Sequence, residues 1–118
     1  ASPHATRHLK LSVLSENTGG DQALMNEMLE TFRDASAADL QAAGQAIARH
    51  EPQIFLRALH RLHGSAQILG ITALQQLCAP FEAKRPHSLT PASCLEVVQR
   101  ITGVMREIDG EIDALIGR

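Results

Sequence analysis

The chain has 118 residues, 44% of them hydrophobic, with three Phe, no Trp or Tyr, and a formal net charge of −2 with histidine neutral. That length fits one domain with a single hydrophobic core, and scattered basic residues without stacking aromatics exclude a nucleic-acid footprint. No apolar run approaches the roughly 18 residues of a membrane span and no signal-peptide pattern opens the chain, so no direct membrane contact is expected.

Ala, Leu, Gln and Glu fill the chain, which favours helix over sheet. Residues 1–7 lack periodicity and read as a linker; residues 8–118 read as one domain. Leu9, Val13 and Leu14 predict a short helix, ended by Asn17-Thr18-Gly19-Gly20. Asp21 is a good N-cap for a long helix over about 22–49. Along it Met25, Leu29, Phe32, Leu40, Ala43 and Ile47 keep a three/four spacing, with Ser36 in the intervening core slot. Ser36 and Gly44 are small enough to admit a close neighbour. His50-Glu51-Pro52 breaks this helix, and Pro52 suits the first turn of the next, which runs over about 52–69 with Gly70 as C-cap.

Thr72 and Gln75 form a capping-box pair for a fourth helix, about 73–84, with Leu74, Leu77, Cys78 and Phe81 as its stripe. Pro80 inside it predicts a kink or weakening. Residues 85–89 read as a loop, after which Thr90 as N-cap and Pro91 at N1 open a last helix to about residue 116. Its stripe is Leu95, Val98, Ile101, Met105, Ile108, Ile112 and Leu115. Cys78 and Cys94 lack CxxC spacing and are expected as buried reduced thiols, which suits the cytoplasm. The fold class expected is all-α: an antiparallel up-down four-helix bundle with a short additional N-terminal helix, able to bury its stripes as a monomer.

The third helix carries the chemistry. Phe55, Leu59, Leu62, Ala66 and Leu69 form its apolar stripe, and His60 lies about 100° away from Leu59. His63, Gly64 and Gln67 share the face of His60. Glycine inside a helix costs about 1 kcal/mol against alanine, so Gly64 points to something that approaches the backbone closely. Glu82 lies as far beyond the turn at 70–72 as His60 lies before it, so the two can meet across antiparallel helices. A carboxylate accepting Nδ1–H would leave Nε2 of His60 unprotonated and outward as a nucleophile. A metal role for His60, His63, Glu82 and Cys78 is disfavoured: the chain has no Glu-x-x-His, and Cys78 falls on the apolar stripe.

The run His60-Arg61-Leu62-His63-Gly64-Ser65-Ala66, followed by Leu69-Gly70, Leu74, Leu77-Cys78 and Glu82, resembles the histidine-containing phosphotransfer (HPt) domain over about residues 9–116. The resemblance implies that His60 accepts a phosphoryl group on Nε2, that Glu82 orients it, that Gly64 gives clearance, and that Gln67 lies on the same exposed face. It implies a phosphorelay intermediate with no catalytic centre or cofactor of its own. Its partners would be the receiver domain of a hybrid kinase and that of a response regulator, with Mg²⁺ bound in the receiver. Leu56, Arg57, Arg61 and Ile68 are candidate rim contacts. The linker and the finish just after the last helix suggest the C-terminal module of a tripartite hybrid sensor kinase, in its cytoplasmic part, with a free-standing relay protein as the other possibility. The alternative is a non-phosphorylated adaptor or dimerisation bundle.

His63 stands where that family usually has lysine. Lysine is permanently charged, whereas histidine ordinarily titrates near about 6.5, so His63 as phosphoryl charge partner makes relay sensitive to pH. Phosphotransfer should vary more steeply between about pH 6 and 7.5 than in lysine-bearing relatives. Rates measured across that window for His63→Lys should be flatter, and an unchanged profile counts against the idea.

Overall fold

In a computed structural model the described residues, 6–117, form α1 (Leu11–Thr18), α2 (Gln22–Ala48), α3 (Pro52–Leu69), α4 (Thr72–Glu82) and α5 (Pro91–Ile116), with a 3₁₀ turn at Pro86–Ser88. Residues 1–5 of the expected linker, and Arg118, lie outside the described residues. Helix α2 packs on α3, α3 on α4, α4 on α5, and α5 back on α2, with α1 laid against α2. Short connections force neighbouring helices to alternate in direction. The result is the predicted bundle, with extents of 44 × 24 × 19 Å.

The turn between α3 and α4 sets the geometry of everything near His60. Gly70 takes a left-handed φ of 68°, which glycine adopts without a Cβ penalty. Its N–H reaches the Gln67 carbonyl at 3.2 Å, and the Ile71 N–H reaches the Ala66 carbonyl at 2.9 Å. That is the Schellman closure of a helix, and Ile71 and Ala66 are both fully buried. Because Ile71 must stay in this tight turn, α4 starts immediately after it, and Ile71 occupies the N-cap position. The expected Thr72–Gln75 capping box is therefore absent. Thr72 is already helical, with its hydroxyl bonded by Lys10 Nζ at 3.3 Å, and Gln75 Nε2 instead donates back to the Ala66 carbonyl at 3.2 Å. A similar closure joins α2 to α3, with His50 at φ 55° in the place of glycine and Glu51 N–H on the Ala46 carbonyl at 2.9 Å.

The expected caps at the two long helices are present. Asp21 accepts from Leu24 N–H at 3.1 Å, and Thr90 accepts from Ser93 N–H at 3.2 Å. Helix α4 continues through Pro80 and ends at Glu82, two residues short of expectation; Pro80 has no N–H to donate in this last turn.

The core is a continuous cluster built from all the helices, including Phe55, Leu59, Leu62, Leu74, Ile101 and Ile108. Ser36 is buried among them as expected, whereas a Cβ placed on Gly44 would meet nothing within 4 Å, so no neighbour approaches there. On α5 the stripe starts one residue earlier than predicted: Cys94 and Val97 are buried, while Leu95 is 49% exposed. Two successive spacings of three carry Leu95 about 120° from Ile101, whereas Cys94 returns to within about 20° of it. Both thiols are free and buried.

Residues 7–9 are strapped to the bundle by acids of α5. Glu111 accepts from the backbone N–H groups of both His8 and Leu9 at 3.0 Å, and Glu107 pairs with the His8 ring at 2.9 Å and Arg7 at 3.1 Å. Leu9 is thereby held in the core.

The phase of α5 can be checked by unfolding. Ile101→Ala should lower stability by about 2–5 kcal/mol through cavity formation, while Leu95→Ala should stay within about 0.5 kcal/mol. Urea titrations followed by far-ultraviolet circular dichroism distinguish the two.

Candidate functional site

The same helical phase that buries Leu59 and Leu62 turns His60 outward, and its side chain is 74% exposed. Glu82 comes to meet it from the last residue of α4, with its two carboxylate oxygens 3.1 and 3.0 Å from Nδ1 of His60. The Phe81 ring, buried at the preceding position, packs edge-on against Phe55 with centroids 5.8 Å apart, which fixes the end of α4 against α3.

His63 is also on this carboxylate. Its Nδ1 lies 2.8 Å from Oε1 of Glu82, and its side chain is only 15% exposed. The sequence reading places His63 on the face of His60 but does not foresee that both rings converge on one acid. The signal was present: two histidines three residues apart on one helix can both reach a carboxylate that lies across from the turn between them.

The hydrogen bond from His60 is the largest influence on the Glu82 carboxyl; burial opposes it, and the weaker bond from His63 with the charge of both rings leaves the carboxyl below its ordinary range. An ionised carboxylate only accepts, so each Nδ1 must carry the proton. Nε2 of neutral His60 is left with its lone pair facing solvent. Cys78, one turn earlier on α4, takes no part: burial, with a lesser push from Glu82, raises its thiol to about 12. Among the described residues no group of three or more His, Cys, Asp or Glu side chains is arranged to hold a metal ion.

A Cβ built on Gly64 meets no atom within 4 Å, so the space it leaves is open to solvent rather than filled by a neighbouring helix. Gln67 is exposed further along α3, and Ile68 beside it is 61% exposed. On the other side of His60 an open groove of about 320 Å³ is lined by Leu56, Arg57, Phe81, Lys84 and Pro86. The Lys84 ammonium sits 5.7 Å from the centre of the Phe81 ring. Arg61 is turned away to Asp39 of α2, at 2.9 Å.

The family model of the Hpt domain matches residues 27–117. The chain belongs to the Hpt domain family. Hpt domains are phosphotransfer modules, and this one is 32% identical over 106 residues to the sensor protein EvgS of Escherichia coli K12 and 31% identical to that of strain O157:H7. Those alignments cover 90% of this chain but 9% of the length of the sensor proteins. The HPT domain from a Shewanella Hpt sensor hybrid histidine kinase superposes with a TM-score of 0.65 at 21% identity, covering 92% of this chain and 93% of that one. The Hpt fold is thus shared along almost the whole chain. Among the described residues no helix is long and apolar enough to cross a membrane.

The lowered Glu82 carboxyl makes a linkage prediction. A carboxylate with a depressed folded value stabilises the fold above its ordinary value and loses that contribution as pH falls through the folded one. The stability advantage of wild type over Glu82→Gln should therefore shrink on acidification below the ordinary carboxyl value of 4.5. Paired urea titrations from pH 7 to pH 3 measure the gap, and a gap that persists at the acid end contradicts the assignment.

Proposed function

We propose that this Hpt domain is a phosphorelay intermediate in which Nε2 of His60 accepts a phosphoryl group from a receiver-domain aspartate and passes it to the aspartate of a response regulator. The observation that carries this reading is the His60 ring, exposed to solvent yet held by Glu82 through Nδ1. In the forward step the Nε2 lone pair forms the N–P bond, the P–O bond to the aspartate breaks, and its electron pair leaves on the aspartate carboxylate. The ring becomes a phospho-imidazolium that keeps its Nδ1 proton, and its new positive charge faces the Glu82 anion. The return step reverses each of these changes.

Each neighbouring residue has a part in this proposal. Gly64 leaves room for the incoming receiver, and Gln67 borders the same face. His63, when charged, supplies the positive charge that related domains take from lysine. The groove residues Leu56, Arg57 and Lys84 meet the receiver surface beside its acidic pocket, Arg57 and Lys84 offering complementary charge. In-line transfer also needs a cation at the phosphoryl oxygens, and in this reading Mg²⁺ held by the receiver supplies it. The parent is then a hybrid sensor kinase with this domain in its cytoplasmic part.

Incubation with a phosphorylated receiver domain tests the proposal. Wild type should gain acid-labile, alkali-stable label, His60→Gln should gain none, and Glu82→Ala should gain it more slowly by on the order of tenfold, the worth of one hydrogen bond to a charged group. Equal labelling of wild type and His60→Gln would remove His60 from the role.

A further inference from the structure

Two imidazoles on one carboxylate is an arrangement that the phosphotransfer role alone does not require. Oε1 of Glu82 accepts from Nδ1 of His60 at 3.1 Å and from Nδ1 of His63 at 2.8 Å, the latter being the shorter contact. Among the described residues Oε2 is bonded to His60 alone, at 3.0 Å. His63 is also much the more enclosed ring, so its bond is better shielded from water than that of His60.

We infer that His63 is a positioning residue that acts through Glu82: by donating to Oε1 it weakens the hold of the carboxylate on the Nδ1 proton of phosphorylated His60. The inference rests on the reading of His60 as phosphoryl acceptor. Its consequence follows from the chemistry of the N–P bond. When the phosphoryl group passes to water, whose oxygen forms the new P–O bond, the N–P electron pair returns to Nε2, and the leaving group is neutral imidazole only if Nδ1 keeps its proton. Without that proton the leaving group is imidazolate, and the bond persists. An acceptor at Nδ1 that favours the protonated ring extends lability to higher pH. His63 takes part of that acceptor and so pulls the upper limit of lability down.

The other groups around Glu82 do not compete for this role. On α4 the Cys78 thiol, raised to about 12, stays protonated, and Lys84, just beyond the end of α4, lies over the Phe81 ring. On α3 Arg57 lines the groove, and Arg61 is held by Asp39 of α2. Arginine and lysine keep their charge from pH 6 to 9, so imidazoles are the side chains here that ordinarily change charge in that span.

The domain can be charged with phosphoramidate, the donor removed, and loss of phosphate from His60 followed by ³¹P NMR at a series of pH values. In His63→Ala, Glu82 serves His60 alone, and the pH at which loss becomes slow should rise by about half a unit to one unit, the shift expected of one redistributed hydrogen bond. His63→Asn places an amide N–H close to the Nδ1 position and should return the midpoint toward that of wild type. Helical circular dichroism of each variant verifies the fold, and in the unphosphorylated proteins ¹⁵N spectra of the His60 ring should show a greater Nδ1–H preference in His63→Ala. Identical midpoints and ring spectra in the three proteins overturn the inference while leaving the relay intact. Failure of wild type to take phosphate on His60 overturns the relay reading and this inference together.

Discussion

Glu82 is an anion at the C-terminus of α4, where the aligned peptide dipoles disfavour negative charge, and it is compensated there by two imidazoles from α3. Helix propensity offers no reason for that placement. It becomes intelligible once the carboxylate is seen as the acceptor that fixes the tautomer of His60. The register is narrow: a residue added or lost between Gly70 and Glu82 would rotate the acid about 100° around α4 and away from both rings. The Gly70-Ile71 closure, with its buried Ile71, prevents such slippage.

Packing beneath the site serves the same end. One face of α3 is spent on the core through Phe55, Leu59, Leu62, Ala66 and Leu69, which leaves His60, Gly64 and Gln67 on the opposite side. Phe81 sits in the interior immediately before Glu82, and its edge-on contact with Phe55 ties the proline-bearing end of α4 to the helix that carries His60. The exposed chemistry is thus held by buried aromatic area rather than by polar contacts alone.

Most of this was legible from periodicity and breakers, because helix phase is a local property. The boundaries of α2 and α3, the Asp21 and Thr90 caps and the His60–Glu82 pairing all follow from spacing along the chain. The errors lie where a distant element decides. Thr72 reads as a cap until Ile71 is drawn into the core; Gly44 reads as a packing notch although no helix crosses it; Leu95 reads as core when short spacings are chained without regard to the accumulated angle. His63 is the instructive case: its position on the helix was clear, but side-chain direction at a shared partner depends on rotamers that spacing does not encode.

The strap on α5 has a consequence for the order of assembly. Its bonds join residues about a hundred positions apart, such as His8 and Glu111, whereas the α3–α4 hairpin closes within a few residues of Gly70. Loop-closure entropy penalises the longer connection until the intervening chain is already collapsed. By that argument the hairpins are expected to form first and the N-terminal segment to clip onto α5 last, at Glu107 and Glu111.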